Sequence, residues 1–326
     1  MGLPLVSPHY VYTHTGLPLR QGMVVVATDE HDAKVILPNN PTKKLWLFIY
    51  WGQIQERMLK FFENPAFIVL IASMFSNNTA IGQQSSQQWK LVWNDEFEYT
   101  GLPDDRKWNY DVGGHGWGNN ELEYYTAKRM QNARVENGHL IIEAIREAME
   151  GKEYSSARLV TRDRASWNHG KIEVRAKLPK GLGTWPAIWM LADTRPLKWP
   201  EDGEIDIMEH VGYDQGRVHG TIHTLKYNHT IGTQKANQIN VNNCSEEFHT
   251  YQLEWSQDTL KIGMDNQYYF TYTNEGSGYS AWPFNNKHYL ILNVAVGGNW
   301  GGSKGVDTTI WPQRMVVDYV RVYQKN

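Results

Sequence analysis

The stretch Lys171-Ile172-Glu173-Val174-Arg175-Ala176-Lys177 alternates charged and apolar residues without interruption. Successive side chains of a β-strand point to opposite faces of its sheet, so this alternation predicts a strand with one buried and one exposed face. Between residues 89 and 326, no stretch of about 12 residues or more repeats its apolar residues with the period of a helix. The chain from Trp89 onward is therefore predicted to be all-β.

Further strands are predicted on both sides of this one. Asn137-Gly138 is a turn pair that leads into a strand, and Asp265-Asn266 joins two others. Many short strands with such turns predict a single β-sandwich of two antiparallel sheets, whose concave outer face would hold a chain-like ligand. The additional predicted strands are 140–145, 250–255, 260–264, 267–272 and 315–323.

The composition excludes some classes of partner. The 326 residues carry a formal net charge of -3, which gives no reason to expect binding to nucleic acid or to an anionic membrane. The single cysteine, Cys244, rules out an intrachain disulfide but not export from the cell. The chain has 14 Trp and 18 Tyr residues, and tryptophan beyond the needs of a core often forms flat platforms for ligands.

A pattern typical of an export signal begins well inside the chain. Met58-Leu59-Lys60 supplies a basic start, an apolar run follows at 65–75, and Ala80-Ile81-Gly82 resembles a cleavage site. We therefore predict a signal peptide at 58–82, and a protein that is secreted, extracellular or periplasmic, with no stable membrane insertion after processing.

This prediction divides the rest of the chain. Residues 1–57 would be a non-native or disordered extension upstream of the true start, 83–88 a short linker, and 89–326 one folded domain, which we expect to be a monomer. The alternative is a genuine N-terminal segment with a membrane-associated helix at 66–75.

Three carboxylates occur close together in the stretch Gly203-Glu204-Ile205-Asp206-Ile207-Met208-Glu209-His210. In a strand, Glu204 and Asp206 share one face, but simple alternation would place Met208 rather than Glu209 beside them. A one-residue bulge after Ile207 would return Glu209 to the acidic face, and bulges are common next to active sites. The stretch thus predicts a row of three acids, a geometry suited to work on a glycosidic bond.

Two other interpretations of this stretch are open. It could be a solvated strand face, although crowded like charges repel one another there. It could also bind calcium or magnesium, which prefer carboxylates, whereas the single adjacent imidazole of His210 does not complete a transition-metal site.

The acidic stretch resembles the catalytic signature of glycoside hydrolase family 16, in its bulged form Glu-x-Asp-x-x-Glu. Other stretches resemble the laminarinase-like, endo-1,3-β-glucanase branch of that family, and an ordered set is more specific than one motif. These stretches are 92–97, 116–126, 178–181, 183–191, 218–224 and 317–323, so that the resemblance covers about 90–323. It implies a jelly-roll β-sandwich that is the catalytic domain, and hydrolysis of β-glucans with retention of configuration.

The resemblance also implies roles for the three acids. Glu204 is implied as nucleophile, Glu209 as general acid/base, and Asp206 as the assisting carboxylate between them. A third carboxylate raises the proton affinity of the site, so that one member can stay protonated near neutral pH. No cofactor is implied for catalysis.

Five further residues resemble substrate-binding positions of the family. Trp185 is expected in the cleft, whereas Trp189 could equally belong to the core. Asn119 and His223 resemble hydrogen-bonding positions, although His223 could equally be a satisfied strand histidine. Trp300 lies in the glycine-rich loop Gly297-Gly298-Asn299-Trp300-Gly301-Gly302, where we expect it to contact substrate.

Many relatives hold a structural calcium ion through two backbone carbonyls and one aspartate. The matching positions are Glu96, Gly138 and Asp318. Asp318 interrupts an apolar strand, which is a place where an oxygen ligand would explain a carboxylate.

Several substrates and one binding function compete with endo-hydrolysis of 1,3-β-glucan. Lichenase-type enzymes, which cleave mixed-linkage 1,3-1,4-β-glucan, tend to lack the bulge residue, here Met208. Galactan hydrolases of the carrageenase or agarase type usually line the cleft with Arg and Lys when the substrate is sulfated, and the matching segments here are rich in aromatic and amide residues. Non-catalytic glucan-binding relatives have lost the catalytic acids, and all three are present here.

Overall fold

The computed structural model describes residues 88–325, together with two short strands nearer the N-terminus. The chain divides into two units, Met1–Ser85 and Ser86–Asn326. In the first unit, β1 (Val24–Asp29) and β2 (Asp32–Ile36) form a two-stranded antiparallel sheet. The predicted signal peptide at 58–82 lies outside the described residues, as do the rest of 1–57 and nearly all of the predicted linker.

The second unit consists of strands and irregular connections. Its described residues contain two 3₁₀ turns, Gly212–Asp214 and His229–Ile231, and no helix long and apolar enough to cross a membrane. The strands are β3 (Trp89–Asp95), β4 (Asn109–Asp111), β5 (Glu123–Tyr125), β6 (Ala133–Glu136), β7 (His139–Met149), β8 (Lys152–Ser156), β9 (Arg158–Val160), β10 (Gly170–Lys177), β11 (Thr184–Ala192), β12 (Glu204–His210), β13 (Arg217–His223), β14 (Lys235–Asn240), β15 (His249–Trp255), β16 (Thr259–Met264), β17 (Gln267–Thr273), β18 (His288–Val296) and β19 (Gln313–Lys325).

These strands form two large sheets. The seven-stranded sheet has the order β14-β13-β12-β11-β18-β9-β4. The ten-stranded sheet has the order β17-β16-β15-β10-β19-β7-β8-β5, with β3 added to β19 and β6 added to β7. All pairings in them are antiparallel except that between β5 and β8. The predicted all-β sandwich of two antiparallel sheets is confirmed, with this one parallel pair as an addition.

The sequence patterns explain the local structure well. In β10, alternate residues are buried, so that Ile172, Val174 and Ala176 face the core, as the opening alternation predicts. The predicted meander is present as β15, β16 and β17. Asp265 and Asn266 both have positive φ, which is the backbone that a tight hairpin turn requires.

The core lies between the two sheets and is almost entirely apolar. Residues from facing strands interlock there, including Leu253 of one sheet and Ile222 and Leu292 of the other. A second, smaller apolar cluster lies on the opposite side of the seven-stranded sheet and consists of Val160, Leu191, Tyr289 and Ile291. We call that side the outer face of the seven-stranded sheet.

Candidate active site

A β-bulge in β12 brings the three acids to one face. Against β11, Ile188 pairs with Met208 and Trp189 pairs with Asp206, so that Ile207 is the additional residue. Ile207 and Met208 are both fully buried in the core between the sheets. The bulge therefore turns two consecutive apolar side chains inward and returns the next residue to the outer face, which confirms the predicted bulge.

The neighbouring strand β13 presents polar side chains to each acid. Its register pairs Glu204 with His223 and Glu209 with His219. Thr221 lies opposite Asp206. The site therefore lies on the outer face, where the three acids of β12 are flanked by residues of β11 and β13.

Glu204 receives support from two rings. The indole N–H of Trp199 donates to Glu204 Oε2 at 3.0 Å, and His223 Nε2 lies 3.7 Å from Oε1. Both contacts favour the ionised form of the carboxylate. Trp199 is a site residue that the sequence analysis missed. The sequence feature that could have identified it is its position, five residues before Glu204 in a chain rich in tryptophan.

Asp206 is the most enclosed of the three acids. Its residue is 3% exposed, and His223 Nε2 lies 3.3 Å from Oδ2. This contact does not have hydrogen-bond geometry, so that Oδ2 receives no donor from the described residues. His223 therefore lies against two of the acids and has a place in the site, rather than being a strand histidine with partners elsewhere.

Glu209 lies beside a group of aromatic rings formed by Trp185, Trp300 and His219. The indole N–H of Trp185 donates to Glu209 Oε1 at 3.0 Å. The ring of Trp300 packs edge-on against Trp185 at 5.5 Å, and it also packs against His219 at 5.1 Å. Trp185 thus lies beside Glu209, and Trp300 belongs to the same aromatic group in a half-buried position, whereas substrate contact by either residue stays a prediction.

Burial sets the protonation of the acids. It is the largest cause that raises the pKa of Glu204, Asp206 and Glu209, each to about 8. The charge of Asp206 further raises the pKa of both glutamic acids, whereas the indole donors and His223 oppose the rise. Because the three groups interact, their protons leave as steps of the whole set. The site can therefore hold a proton and a negative charge together near neutral pH.

A hydrogen-bonded chain links two predicted substrate-binding residues. The indole N–H of Trp189 donates to Asn293 Oδ1 at 2.7 Å, and Asn293 Nδ2 donates to the hydroxyl of Tyr125 at 3.0 Å. That hydroxyl donates to Glu121 Oε2 at 3.1 Å, and Asn119 Nδ2 donates to Glu121 Oε1 at 3.3 Å. The three middle members were not singled out from the sequence, because separate strands and loops bring them together.

Trp189 lies on the outer face and is not a core residue. One of its faces covers the guanidinium of Arg158 at 4.6 Å, and Trp117 covers the same group at 4.6 Å. Arg158 also pairs with Asp111 at 3.1 Å. This arrangement fixes the Trp189 ring on the strand position that pairs with Asp206.

The metal-site interpretation of the acids has a geometric basis. Glu204, Asp206 and His223 offer ligand atoms that lie within 4.8 Å of one another. His210, which was considered from the sequence, is not among them, since its Nε2 accepts a hydrogen bond from the Gly216 backbone N–H. Glu209 does not belong to this set of possible ligands, although it lies on the same face and its pKa is also raised to about 8.

The predicted calcium ligands lie beside the ten-stranded sheet. Asp318 pairs with Arg175, and His139 Nε2 lies 3.8 Å from Asp318 Oδ1. The side chain of Glu96 is engaged by Arg321, which leaves its backbone carbonyl as the predicted ligand. Gly138 has φ 75° in a turn. Oxygen donors of this kind fit a hard cation such as calcium. To bind it, Asp318 would have to give up its ion pair with Arg175. The calcium site stays a prediction.

The chain is similar to known carbohydrate-active proteins. The model of glycosyl hydrolases family 16 matches residues 120–321. A β-glucanase of Rhodothermus marinus is 49% identical over 276 residues, which cover 82% of this chain and 96% of that protein. The solved laminarinase from Rhodothermus marinus is 53% identical with a TM-score of 0.72, over 73% of this chain and 98% of its own. A non-specific endo-β-1,3(4)-glucanase from the same family is 51% identical with a TM-score of 0.71, over 74% of this chain and 92% of its own.

Proposed function

Because this chain belongs to glycosyl hydrolases family 16, we propose that it is an endo-acting β-1,3-glucanase that works by a retaining double displacement. That it is a glycosyl hydrolase follows from the family. The substrate, the endo action and the stereochemistry are the proposal, and the laminarinase and β-glucanase relatives support the choice of substrate.

One observation carries the mechanism. Glu204 and Glu209 flank Asp206 on a single face of β12, and each accepts a hydrogen bond from a different indole. A retaining enzyme needs two carboxyl groups about 5–5.5 Å apart, one ionised and one protonated. On a bulged strand the two side chains can lean toward each other over Asp206.

In the first displacement, ionised Glu204 attacks the anomeric carbon of the sugar. The bond from that carbon to the glycosidic oxygen breaks, and Glu209 gives its proton to the leaving oxygen. Since Oε1 of Glu209 already accepts from Trp185, the proton resides on Oε2. The Trp199 donor on Glu204 helps to keep that carboxylate ionised until it attacks.

In the second displacement, the glycosyl-enzyme ester is hydrolysed. Glu209, now ionised, takes a proton from a water molecule, whose oxygen attacks the same anomeric carbon and releases Glu204. Two inversions give net retention. When Asp206 is ionised, its charge raises the pKa of Glu209, which favours the return of the proton to Glu209.

The proposal includes export of the enzyme. The signal pattern at 58–82 supports secretion, because a β-glucan polymer is too large to enter a cell intact. N-terminal sequencing of protein recovered outside the cells tests this, and we expect a mature start near Gln83. A mature start well before that residue would contradict the signal-peptide prediction.

The substrate is tested by side-by-side release of reducing sugar. A linear or sparsely branched β-1,3-glucan, a mixed-linkage 1,3-1,4-β-glucan and a carrageenan are incubated with equal enzyme. We expect the highest kcat/KM on the β-1,3-glucan, with oligosaccharides of several lengths as products. Binding without release from any of the three would favour a non-catalytic glucan-binding protein.

Mixed-linkage β-glucan is the second candidate substrate. The similarity to a non-specific endo-β-1,3(4)-glucanase at 51% identity favours it. The additional residue of the bulge, which was predicted as Met208 and is Ile207 in the structure, favours the 1,3-linked polymer, because the mixed-linkage lichenase type tends to lack it. Comparable kcat/KM values on both polymers would assign a broad β-1,3(4) specificity.

A further inference from the structure

Two carboxylates and one imidazole lie together at one end of the acidic row. Glu204, Asp206 and His223 each offer one ligand atom, and these atoms lie within 4.8 Å of one another. His223 Nε2 is 3.7 Å from Glu204 Oε1 and 3.3 Å from Asp206 Oδ2. The register of β12 and β13 fixes this arrangement, because it places His223 opposite Glu204.

His223 lies close to both acids without donating a hydrogen bond to either of them. Its distance to Glu204 Oε1 is too long for such a bond. Asp206 Oδ2 has no hydrogen-bond partner among the described residues, although Asp206 is only 3% exposed. A buried carboxylate oxygen without a donor is costly, and a ligand that binds to it is one physical reason for a protein to keep it.

The charges around these groups favour a cation. In the described part of the chain, no lysine or arginine forms an ion pair with Glu204 or Asp206, and their charged neighbour is an imidazole. The other oxygen of Glu204, Oε2, accepts from the neutral indole of Trp199, which leaves Oε1 for a further ligand. The Glu204 side chain is 15% exposed, so that an ion can reach it from solvent.

The spacing and the chemistry of the ligand atoms fit zinc. A tetrahedral zinc ion with bonds of about 2.0–2.1 Å places neighbouring ligand atoms about 3.4 Å apart. The two distances from His223 Nε2, 3.3 and 3.7 Å, lie on either side of this value. Zinc binds imidazole and carboxylate together, whereas calcium and magnesium take oxygen ligands. Three protein ligands leave the fourth position of the metal to water.

We propose that Glu204, Asp206 and His223 bind a zinc ion, which inhibits the enzyme because it occupies the nucleophile. The inhibition, unlike the binding, rests on the proposed β-1,3-glucanase function. With Oε1 on the metal and Oε2 on Trp199, neither oxygen of Glu204 is free to attack the anomeric carbon.

The surroundings of the imidazole set the strength of this site. Strong zinc sites orient each ligating imidazole through a hydrogen bond from its second nitrogen. His223 Nδ1 has no such partner among the residues that the structure describes. We therefore expect reversible binding that is weaker than in a structural zinc site.

Isothermal titration calorimetry of the whole protein with zinc chloride measures the binding directly. Asp206→Asn and His223→Leu should each raise Kd by about tenfold or more, because each removes one of three ligands. His219→Leu is the matched control, since it removes an imidazole from the same strand at the position opposite Glu209, and it should leave Kd unchanged. Thermal unfolding verifies that each variant is folded, and the nearly isosteric Asp206→Asn decides alone if His223→Leu is not.

An unchanged Kd in the folded ligand variants would place zinc elsewhere and overturn the proposal. Displacement of zinc by an excess of calcium would also overturn it, in favour of a site for hard cations. Zinc should slow the hydrolysis of β-1,3-glucan with half-inhibition near its Kd, and a zinc-selective chelator should restore the rate. Zinc binding at an undiminished rate would overturn the inhibition. If the metal-free enzyme fails to cleave β-1,3-glucan, the proposed function is wrong, while calorimetry still decides the zinc site.

Discussion

Glu96, beside one sheet, and the three acids of β12, on the other, are carboxylates in opposite surroundings. Beside the ten-stranded sheet, Glu96 accepts two hydrogen bonds from Arg321, and this contact lowers its pKa. On the seven-stranded sheet, Glu204 and its two neighbours are buried with raised pKa values. Among the described residues, no lysine or arginine forms an ion pair with these three acids.

The difference separates carboxylates that stabilise from carboxylates that react. A glutamate paired with arginine favours folding, because its charged form has a partner that the unfolded chain lacks. A buried row of acids without such partners disfavours folding at neutral pH, and a protein keeps it where the elevated pKa has a use. Each prediction below alters one side of this contrast.

The largest effect is expected from removal of either glutamic acid of the row. Glu204→Ala and Glu209→Ala should each lower kcat by about 10³-fold or more, because a nucleophile or a general acid is lost. Added azide with an activated glycoside should restore turnover and identify the roles. Glu204→Ala should then give the inverted glycosyl azide and Glu209→Ala the retained one.

The product stereochemistry is read by NMR spectroscopy. Glu96→Ala serves as the control, since it removes a glutamate from the other sheet and should leave kcat unchanged. The reverse pattern of azide products would exchange the roles of Glu204 and Glu209.

The second effect concerns the pH dependence of kcat/KM. Glu209 must be protonated to act as acid, and its pKa near 8 keeps it so over the neutral range, so that activity should fall above about pH 8. The charge of Asp206 is one cause of that high pKa. Asp206→Asn removes the charge and should shift the basic limb to lower pH.

A pH-rate profile of both proteins measures this shift. Glu96→Gln, with the same change of charge on the other sheet, should leave the limb in place. A basic limb that does not move in Asp206→Asn would mean that Asp206 does not set the protonation of Glu209.

The same contrast shows how far the sequence predicts the site. The three acids and the bulge could be predicted, because all of them depend on the local alternation of one strand. Trp199 could not, since its contact with Glu204 depends on how a loop folds back over β12. Nor could the pairing of Asp318 with Arg175, because the two lie on strands far apart in the chain.

The place of Trp189 shows a further limit. Its spacing from Trp185 puts both on one face of a strand, but the sequence does not say which side of the sheet is the core. The structure places Ile188 and Met190 in the core, and Trp189 therefore faces outward. Asn119 similarly donates to Glu121, which also accepts from Tyr125, and the positions of both partners depend on tertiary contacts.

The third effect is on stability, with opposite signs for Glu204 and Glu96. The folded-state pKa of Glu204 is raised from 4.5 to about 8, so its contribution to stability is present below pH 4.5 and is lost as the pH rises through 8. Glu204→Gln should therefore stabilise the protein at pH 8, on the order of 1 kcal/mol, and have little effect at pH 4.

Glu96 provides the opposite case. Its folded-state pKa is lowered, so its contribution is present above pH 4.5 and is lost as the pH falls. Glu96→Gln should destabilise the protein at pH 8 by about 0.5–1 kcal/mol. Thermal unfolding of both variants at the two pH values measures the signs, and equal signs at pH 8 would contradict the contrast.

The smallest effect concerns the cation that Asp318 holds. If calcium replaces Arg175 there, an ion concentration about five times Kd should stabilise the fold by about 1 kcal/mol, and a chelator should reverse this. Asp318→Asn should abolish the response, while Asp104→Asn, which alters a half-buried aspartate paired with Arg106, should keep it. A melting temperature that calcium leaves unchanged would assign Arg175 as the cation of Asp318. The ten-stranded sheet would then neutralise this acid with its own side chains, as it does Glu96.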